Sequence, residues 1–209
     1  FDYEEKYQEF YKGEIVNNCN LKELHKSRIR AFGGTTMVWG GMCRELDEID
    51  FINWPIKKKD LSHYSDEVRK ILLIKNNFLN DKIIDENIKL ISFQWSEPTI
   101  RFNDFYKDKI INDKNIDLLI ETSVIKIDGE ANVELLEIFD HKKKDYHIVK
   151  PKNVVLACGA IENSRILLYS QKKTNKLFLK DLDIGKNYLL HPHYVVGKSL
   201  VEMKIIKKI

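Results

Sequence analysis

The chain has 209 residues, 43% of them hydrophobic, and a net charge of +3 from 35 basic and 32 acidic side chains. This composition can supply a hydrophobic core and is ordinary for a globular protein. The two dense lysine runs, Lys57–Lys59 and Lys142–Lys144, contain no interleaved aromatic residues, so nucleic acid is not an expected partner. No apolar run approaches the roughly 20 residues that a membrane-spanning helix needs, so no membrane span is predicted.

The cysteines and histidines do not predict a metal site. Cys19, Cys43 and Cys158 are odd in number and form no C-x-x-C motif, so neither a disulfide framework nor a zinc site is expected. This cysteine usage favours a reducing compartment such as the cytoplasm. His191 and His193 would share one face of a strand, but two histidines without a third ligand do not predict a metal centre.

The first half of the chain is predicted to be mainly helical. Aromatic side chains at helical spacing predict a first helix that ends at Gly13. A second, amphipathic helix is predicted with Asp60 as its N-cap. Its apolar stripe comprises Leu61, Tyr64, Val68, Ile71 and Leu72. Residues 76–97 are interpreted as a long connection, and Phe102–Ile111 as a third helix.

The second half begins with a β-rich pattern. Ile116–Ile127 is predicted to be a strand, and the turn His141–Lys144 is predicted to join the two strands of a β-hairpin. The apolar run Val154–Ala160 then leads directly into a helical pattern. This arrangement predicts a buried parallel strand that feeds a helix, the unit of a doubly wound sheet, with a ligand near Gly159. Close packing of strand and helix is the alternative reason for small residues there.

The loop from Arg30 to Met42, with the sequence RAFGGTTMVWGGM, is the main candidate binding segment. It combines bare main chain, hydroxyl groups and one broad indole: Gly33, Gly34, Thr35, Thr36, Trp39, Gly40 and Gly41. Glycine lets a planar or phosphorylated ligand approach the main chain and also permits positive φ. These features suit a flat, polar-edged cofactor such as a flavin. A tight turn between strands with a buried tryptophan is the alternative interpretation.

Four stretches occur in the same order as in a known family. They are Ser27–Gly41, Ile52–Val68, Val154–Ser170 with the sequence VVLACGAIENSRILLYS, and Asp183–His193 with the sequence DIGKNYLLHPH. Together they resemble the glucose–methanol–choline (GMC) family of FAD-dependent oxidoreductases, in particular its sugar- and polyol-dehydrogenase-like branch. The resemblance covers nearly all of the chain from Ser27 onward.

The resemblance implies an α/β fold with α+β elements, namely a partial FAD-binding Rossmann-like domain with part of a substrate-binding cap domain. Residues 1–50 and 112–182 would belong to the FAD-binding domain. Residues 51–111 would form the cap segment, and residues 183–209 the start of the substrate-binding domain. No G-x-G-x-x-G motif occurs among the nine glycines, and the family's catalytic histidine motif has no counterpart here. The chain is therefore interpreted as an internal segment of a longer enzyme, with no catalytic residue assigned.

The resemblance also implies where FAD would lie. Cofactor contacts are expected from Gly33, Gly34, Thr35, Thr36, Trp39, Gly40, Gly41, Met42, Val124, Ala157 and Gly159. Within that set, the loop residues would follow the flavin and pyrophosphate, the Val124 main chain would meet the adenine, and Ala157 and Gly159 would approach from the sheet. Some family members tether the flavin through a histidine where this chain has Val38, so non-covalent FAD is expected.

The implied activity is oxidation of the CH–OH group of an alcohol, sugar or polyol by hydride transfer to flavin, with an electron acceptor that the sequence does not identify. An inactive remnant or binding fragment without turnover is the alternative. A third interpretation is a different flavoprotein with two dinucleotide-binding domains that shares only the end of the Val154–Ala160 run.

Overall fold

A computed structural model of the protein describes residues 28–77, 81–174, 182–186, 188, 194–195 and 197–198. The predicted helix before Gly13 and the pair His191 and His193 lie outside these residues. The chain divides into two compact units, Phe1–Leu118 and Leu119–Ile209, which are described separately. The four-segment division predicted from the resemblance stays a prediction. No helix in the described ranges has the length and apolar character needed to cross a membrane.

The first unit is built from short helices. Its elements are the 3-10 turns Gly34–Met37 and Glu48–Phe51, the helices α1 (Lys58–Ser62), α2 (Ser65–Ile71), α3 (Phe102–Phe105) and α4 (Lys107–Asn112), and the strands β1 (Lys82–Ile83) and β2 (Lys89–Leu90). The strands β1 and β2 form an antiparallel pair, so the predicted long connection over residues 76–97 contains a small hairpin. The predicted third helix is present as two helices, α3 and α4, which meet at Tyr106.

The predicted amphipathic helix is confirmed, but it is divided into α1 and α2 at His63 and Tyr64. The prediction that Asp60 is its N-cap is wrong. Lys57 occupies that position, and the Asp60 carboxylate accepts a hydrogen bond of 2.8 Å from the Lys57 backbone N–H. An acidic residue in the first turn can satisfy the N-cap N–H in this way, so its presence does not locate the cap itself.

The second unit contains a three-stranded antiparallel sheet in the order β3-β4-β5, followed by the helix α5 (Ala160–Thr174). The strands are β3 (Thr122–Asp128), β4 (Leu135–Asp140) and β5 (Asp145–Val149). The predicted hairpin is thus confirmed as β4 and β5. Its turn is closed by the Asp140 carboxylate, which accepts the N–H groups of Lys142 and Lys143 at 2.9 Å each.

The core of the second unit lies between the sheet and α5. Ile127, Ile138 and Ile166 are buried there, and Ser170 is fully buried. The Ser170 hydroxyl accepts a hydrogen bond of 2.9 Å from the Ile127 backbone N–H. A buried hydroxyl is tolerated when it is hydrogen-bonded, and here it satisfies an N–H on the side of β3 that has no neighbouring strand in the described sheet.

The prediction of a buried parallel strand at Val154–Ala160 is wrong for this structure. Val155 is 88% exposed, and the sheets in the described ranges are antiparallel and exclude this segment. The segment is tied instead to α5, because the Asn163 side chain accepts from Cys158 N–H at 3.0 Å and donates to the Leu156 carbonyl at 3.1 Å. The helix predicted to follow this run is present and begins at Ala160, one residue earlier than predicted. The coarse class is a mixed α/β protein with small antiparallel sheets, and the Rossmann-like domain stays a prediction.

Candidate functional site

The glycine-rich loop is organised by a 3-10 turn over Gly34–Met37. The Thr36 hydroxyl donates a hydrogen bond of 2.6 Å to the Gly33 carbonyl and accepts one of 3.2 Å from the Phe102 N–H. The Thr35 carbonyl accepts the N–H groups of Val38 and Trp39, which closes the turn. The Thr36 hydroxyl is therefore used to shape the loop and to attach it to α3.

A distant segment supports the outer half of the loop. Arg101 donates hydrogen bonds of 2.9 Å to the Thr36 carbonyl and 2.8 Å to the Trp39 carbonyl. The Trp39 indole N–H donates to the Ile100 carbonyl at 3.0 Å. A guanidinium group can bind two carbonyls at once because its donors lie in one rigid plane. The sequence interpretation did not identify Arg101, which lies 62 residues beyond Trp39 with no spacing pattern to connect the two.

Two of the four loop glycines face inward and are explained by internal packing. A Cβ atom on Gly33 would lie 2.8 Å from the Asn103 backbone nitrogen, and a Cβ atom on Gly41 would overlap the Thr99 side chain. Both residues also have positive φ, at +91° for Gly33 and +75° for Gly41. Steric contact and backbone conformation therefore both require glycine at these two positions.

The other two glycines belong to what we call the outward side of the loop, which consists of Gly34, Thr35, Gly40 and Met42. Apart from the adjacent residues in the chain, no atom of the described residues lies within 4 Å of the position that a Cβ would occupy on Gly34 or Gly40. Gly34 has a φ of +55°, which favours glycine, whereas Gly40 lies outside the positive-φ region. Thr35 and Gly40 are exposed, and Met42 is 65% exposed. Internal packing therefore does not explain why residue 40 is a glycine.

The remaining predicted contacts lie in the second unit. Val124 is on β3, an edge strand of the described sheet, next to a register shift. Ala157 and Gly159 are exposed and immediately precede α5. Gly159 has a φ of +84° and open space around its Cβ position. The structure thus brings the predicted contacts from 33 to 42 together on one loop, whereas Val124 lies on β3 and Ala157 and Gly159 lie in the segment before α5.

The chemical groups on the outward side are of the kinds that a flat cofactor would contact. Its two glycines offer bare main chain that a side chain at either position would cover. The Thr35 hydroxyl makes no hydrogen bond within the described residues and is available to a polar ring edge. The Thr36 hydroxyl and the Trp39 indole N–H already have internal partners, so these two residues support the loop in this structure. The residues present are compatible with a flavin on this side.

A charged cluster fixes the chain just after the loop. Arg44 contacts both carboxylate oxygens of Asp81, at 2.5 and 2.8 Å, and the Asp47 carboxylate at 2.8 Å. Lys89 pairs with the same Asp81 carboxylate at 2.5 Å. Hydrogen bonds from Arg44, and then from Lys89, hold the pKa of Asp81 well below its usual range. Because the Arg44–Asp81 pair is bidentate, this cluster should stabilise the fold more than an ordinary surface ion pair does.

Asp81 should make the stability of the protein sensitive to acid. Because its pKa is lower in the folded state, its contribution is complete above the unfolded pKa of about 4 and is lost as the pH falls below that value. We expect the free energy of unfolding to decline less steeply below about pH 4 in Asp81→Asn than in the native protein. Urea unfolding at several pH values measures both slopes. Equal slopes would show that this carboxylate does not titrate as a paired group.

The chain matches no protein-family model, no curated protein sequence and no solved structure. What can be said of its function therefore depends on the four sequence motifs and on the geometry of the glycine-rich loop.

Proposed function

We propose that this chain is a segment of an FAD-dependent oxidoreductase of the GMC type that oxidises the CH–OH group of an alcohol, sugar or polyol. The observation that carries the proposal is Gly40, which is exposed, lies outside the positive-φ region and has no neighbour among the described residues within 4 Å of its Cβ position. Neither strain nor internal packing requires glycine there. Close approach of a ligand to the main chain would require it.

The residues of the loop would have different roles in binding the cofactor. Gly34 and Gly40 would allow a planar ring to lie against the main chain, and Thr35 would offer a hydroxyl to its polar edge. Arg101 and the Trp39 indole would keep this surface rigid through their hydrogen bonds. FAD, when bound, supplies the hydride-accepting chemistry. A surface that is already ordered loses less conformational entropy on binding, which favours affinity.

The test compares flavin retention in two glycine variants of the longest natural chain that contains this sequence. We expect Gly40→Val to lower the flavin-to-protein ratio and to weaken FAD affinity on the order of tenfold, equivalent to about 1.4 kcal/mol. The added side chain would cover the main chain without straining it. Visible absorbance of the purified protein, followed by titration of the apoprotein with FAD, gives both quantities.

Gly197→Val is the matched control. Gly197 is also exposed, lies outside the positive-φ region and has no neighbour near its Cβ position in the described part of the chain, but it is not among the expected cofactor contacts. It should retain flavin like the native protein, and both variants should keep the native unfolding midpoint. A native protein that purifies without flavin, or equal retention in both variants, would contradict the proposal.

A flavin-binding chain without turnover is the second candidate, because the contacts expected of this sequence serve to bind FAD and none of them is assigned to proton transfer. Anaerobic addition of alcohols separates the two, since only an enzyme would bleach its flavin. The gene on either side gives an independent answer. An upstream G-x-G-x-x-G and a downstream histidine motif would support the enzyme, and stop codons on both sides would support the remnant.

A further inference from the structure

A cleft of about 510 Å³ lies in the first unit, between residues 42–46 and the helices α1 and α2. Its volume is within the range of small-molecule sites. Apolar atoms make up most of its wall area, and its apolar side chains are Met42, Leu46, Phe51, Leu61, Val68 and Leu72. Met42 belongs both to this cleft and to the outward side of the glycine-rich loop. The cleft therefore adjoins the surface on which the flavin is proposed to lie.

Several polar side chains in the walls are already hydrogen-bonded within the protein. Arg44 is paired with Asp81, and the Ser65 hydroxyl donates to the Glu45 carboxylate at 2.6 Å. The Ser62 hydroxyl donates to a backbone carbonyl within α1. A ligand with many hydroxyl groups would find few free partners among these side chains, and each hydroxyl that is left unpaired on leaving water costs free energy.

Two polar groups of the cleft have no hydrogen-bond partner within the described residues, the Tyr64 hydroxyl and the Lys58 ammonium group. Tyr64 is half exposed, and its ring packs against His63 with the centroids 3.9 Å apart. A phenol can donate to or accept from one ligand hydroxyl. Lys58 is carried on a flexible chain that can keep its charge in water at the edge of a cleft.

We infer that this cleft binds an alcohol with an apolar aliphatic or aryl body, whose single hydroxyl pairs with Tyr64, and that it discriminates against sugars and polyols. The inference narrows the substrate class of the proposed function. That the alcohol is a substrate rests on the proposed function. The binding itself depends only on the cleft. The proposal departs from the sugar or polyol that the sequence resemblance favours, because apolar atoms make up most of the wall area and Arg44, Ser62 and Ser65 are already hydrogen-bonded within the protein.

Binding is tested directly on the same intact protein, with benzyl alcohol and 1-hexanol as apolar probes, sorbitol as the polyol and benzoate as the acid. Saturation-transfer NMR gives the dissociation constants without any need for turnover. We expect both apolar alcohols to bind and sorbitol not to bind. Val68→Arg should weaken benzyl alcohol binding on the order of tenfold by filling the cleft, while arginine suits a helix better than valine does.

Ile71→Arg is the control, because it adds the same charge on the same helix at a similarly exposed position that does not line the cleft. It should leave binding unchanged. Tyr64→Phe should weaken benzyl alcohol binding about fivefold and leave toluene binding unchanged. Preferential binding of sorbitol or benzoate, no binding of the alcohols, or equal effects of the two arginine variants would overturn the inference.

The two proposals can fail separately. A protein that binds benzyl alcohol in a Val68-dependent manner but retains no flavin would keep the cleft assignment and remove the oxidoreductase. A flavin-containing protein whose cleft binds none of the alcohols would keep the oxidoreductase and remove the cleft assignment.

Discussion

Replacing Gly41 with alanine should lower the free energy of unfolding by about 3 kcal/mol. Gly41 is buried and has a φ of +75°, a conformation that costs a residue with a Cβ about 1 to 2 kcal/mol. The new methyl group would also overlap the Thr99 side chain, so that the loop or the segment behind it must move. Forced movement in a packed site adds a cost of about 1 to 3 kcal/mol. Urea unfolding followed by tryptophan fluorescence measures the change.

Gly40→Ala gives the internal comparison for this prediction. Residue 40 adjoins residue 41, but no described residue other than its chain neighbours lies within 4 Å of its Cβ position, and it lies outside the positive-φ region. Its substitution should change the free energy of unfolding by less than about 0.5 kcal/mol. Equal destabilisation by the two variants would mean that the inward and outward sides of the loop have been assigned incorrectly.

Replacing Ile127 with alanine should destabilise the second unit by about 3 kcal/mol. Ile127 is only 2% exposed and lies on β3 where α5 packs against the sheet. Removing its side chain loses the transfer free energy of the buried groups and leaves a cavity that the surrounding side chains fill only in part. Chemical unfolding followed by circular dichroism measures the loss, and hydrogen exchange on β3 shows whether the effect is local.

Ile148→Ala on β5 is the matched control for Ile127→Ala. It carries the same chemical change and the same loss of β propensity in the same sheet, but Ile148 is 57% exposed. We expect a change below about 1 kcal/mol. A loss as large as that of Ile127→Ala would show that β5 is covered by another part of the protein.

The division of the glycine-rich loop into two sides changes how its residues should be tested. Gly34 has positive φ, so a substitution there combines strain with any effect on a ligand. Thr36 and Trp39 have internal hydrogen bonds, so their variants would disturb the loop before they report on a cofactor. Gly40 is free of both complications and is the better probe of cofactor binding.

Local patterns predicted most of the elements correctly. The apolar stripe from Leu61 to Leu72 led to α1 and α2, and the turn at His141–Lys144 led to the hairpin of β4 and β5. These signals depend on neighbours a few residues apart, which the sequence displays directly. The prediction of a parallel strand at Val154–Ala160 was wrong because apolar composition does not show whether a neighbouring strand or, as here, an asparagine side chain binds the main chain of the segment.

The sequence by itself determined the helices, the hairpin of β4 and β5 and the presence of an unusual glycine-rich loop, because periodicity and residue type act over short distances. Only the tertiary structure decided which glycines of that loop meet internal neighbours and which face open space. That outcome depends on Thr99, Arg101 and Asn103, residues far along the chain whose contacts arise from packing of the whole first unit. No local rule connects such positions, because their proximity follows from the fold.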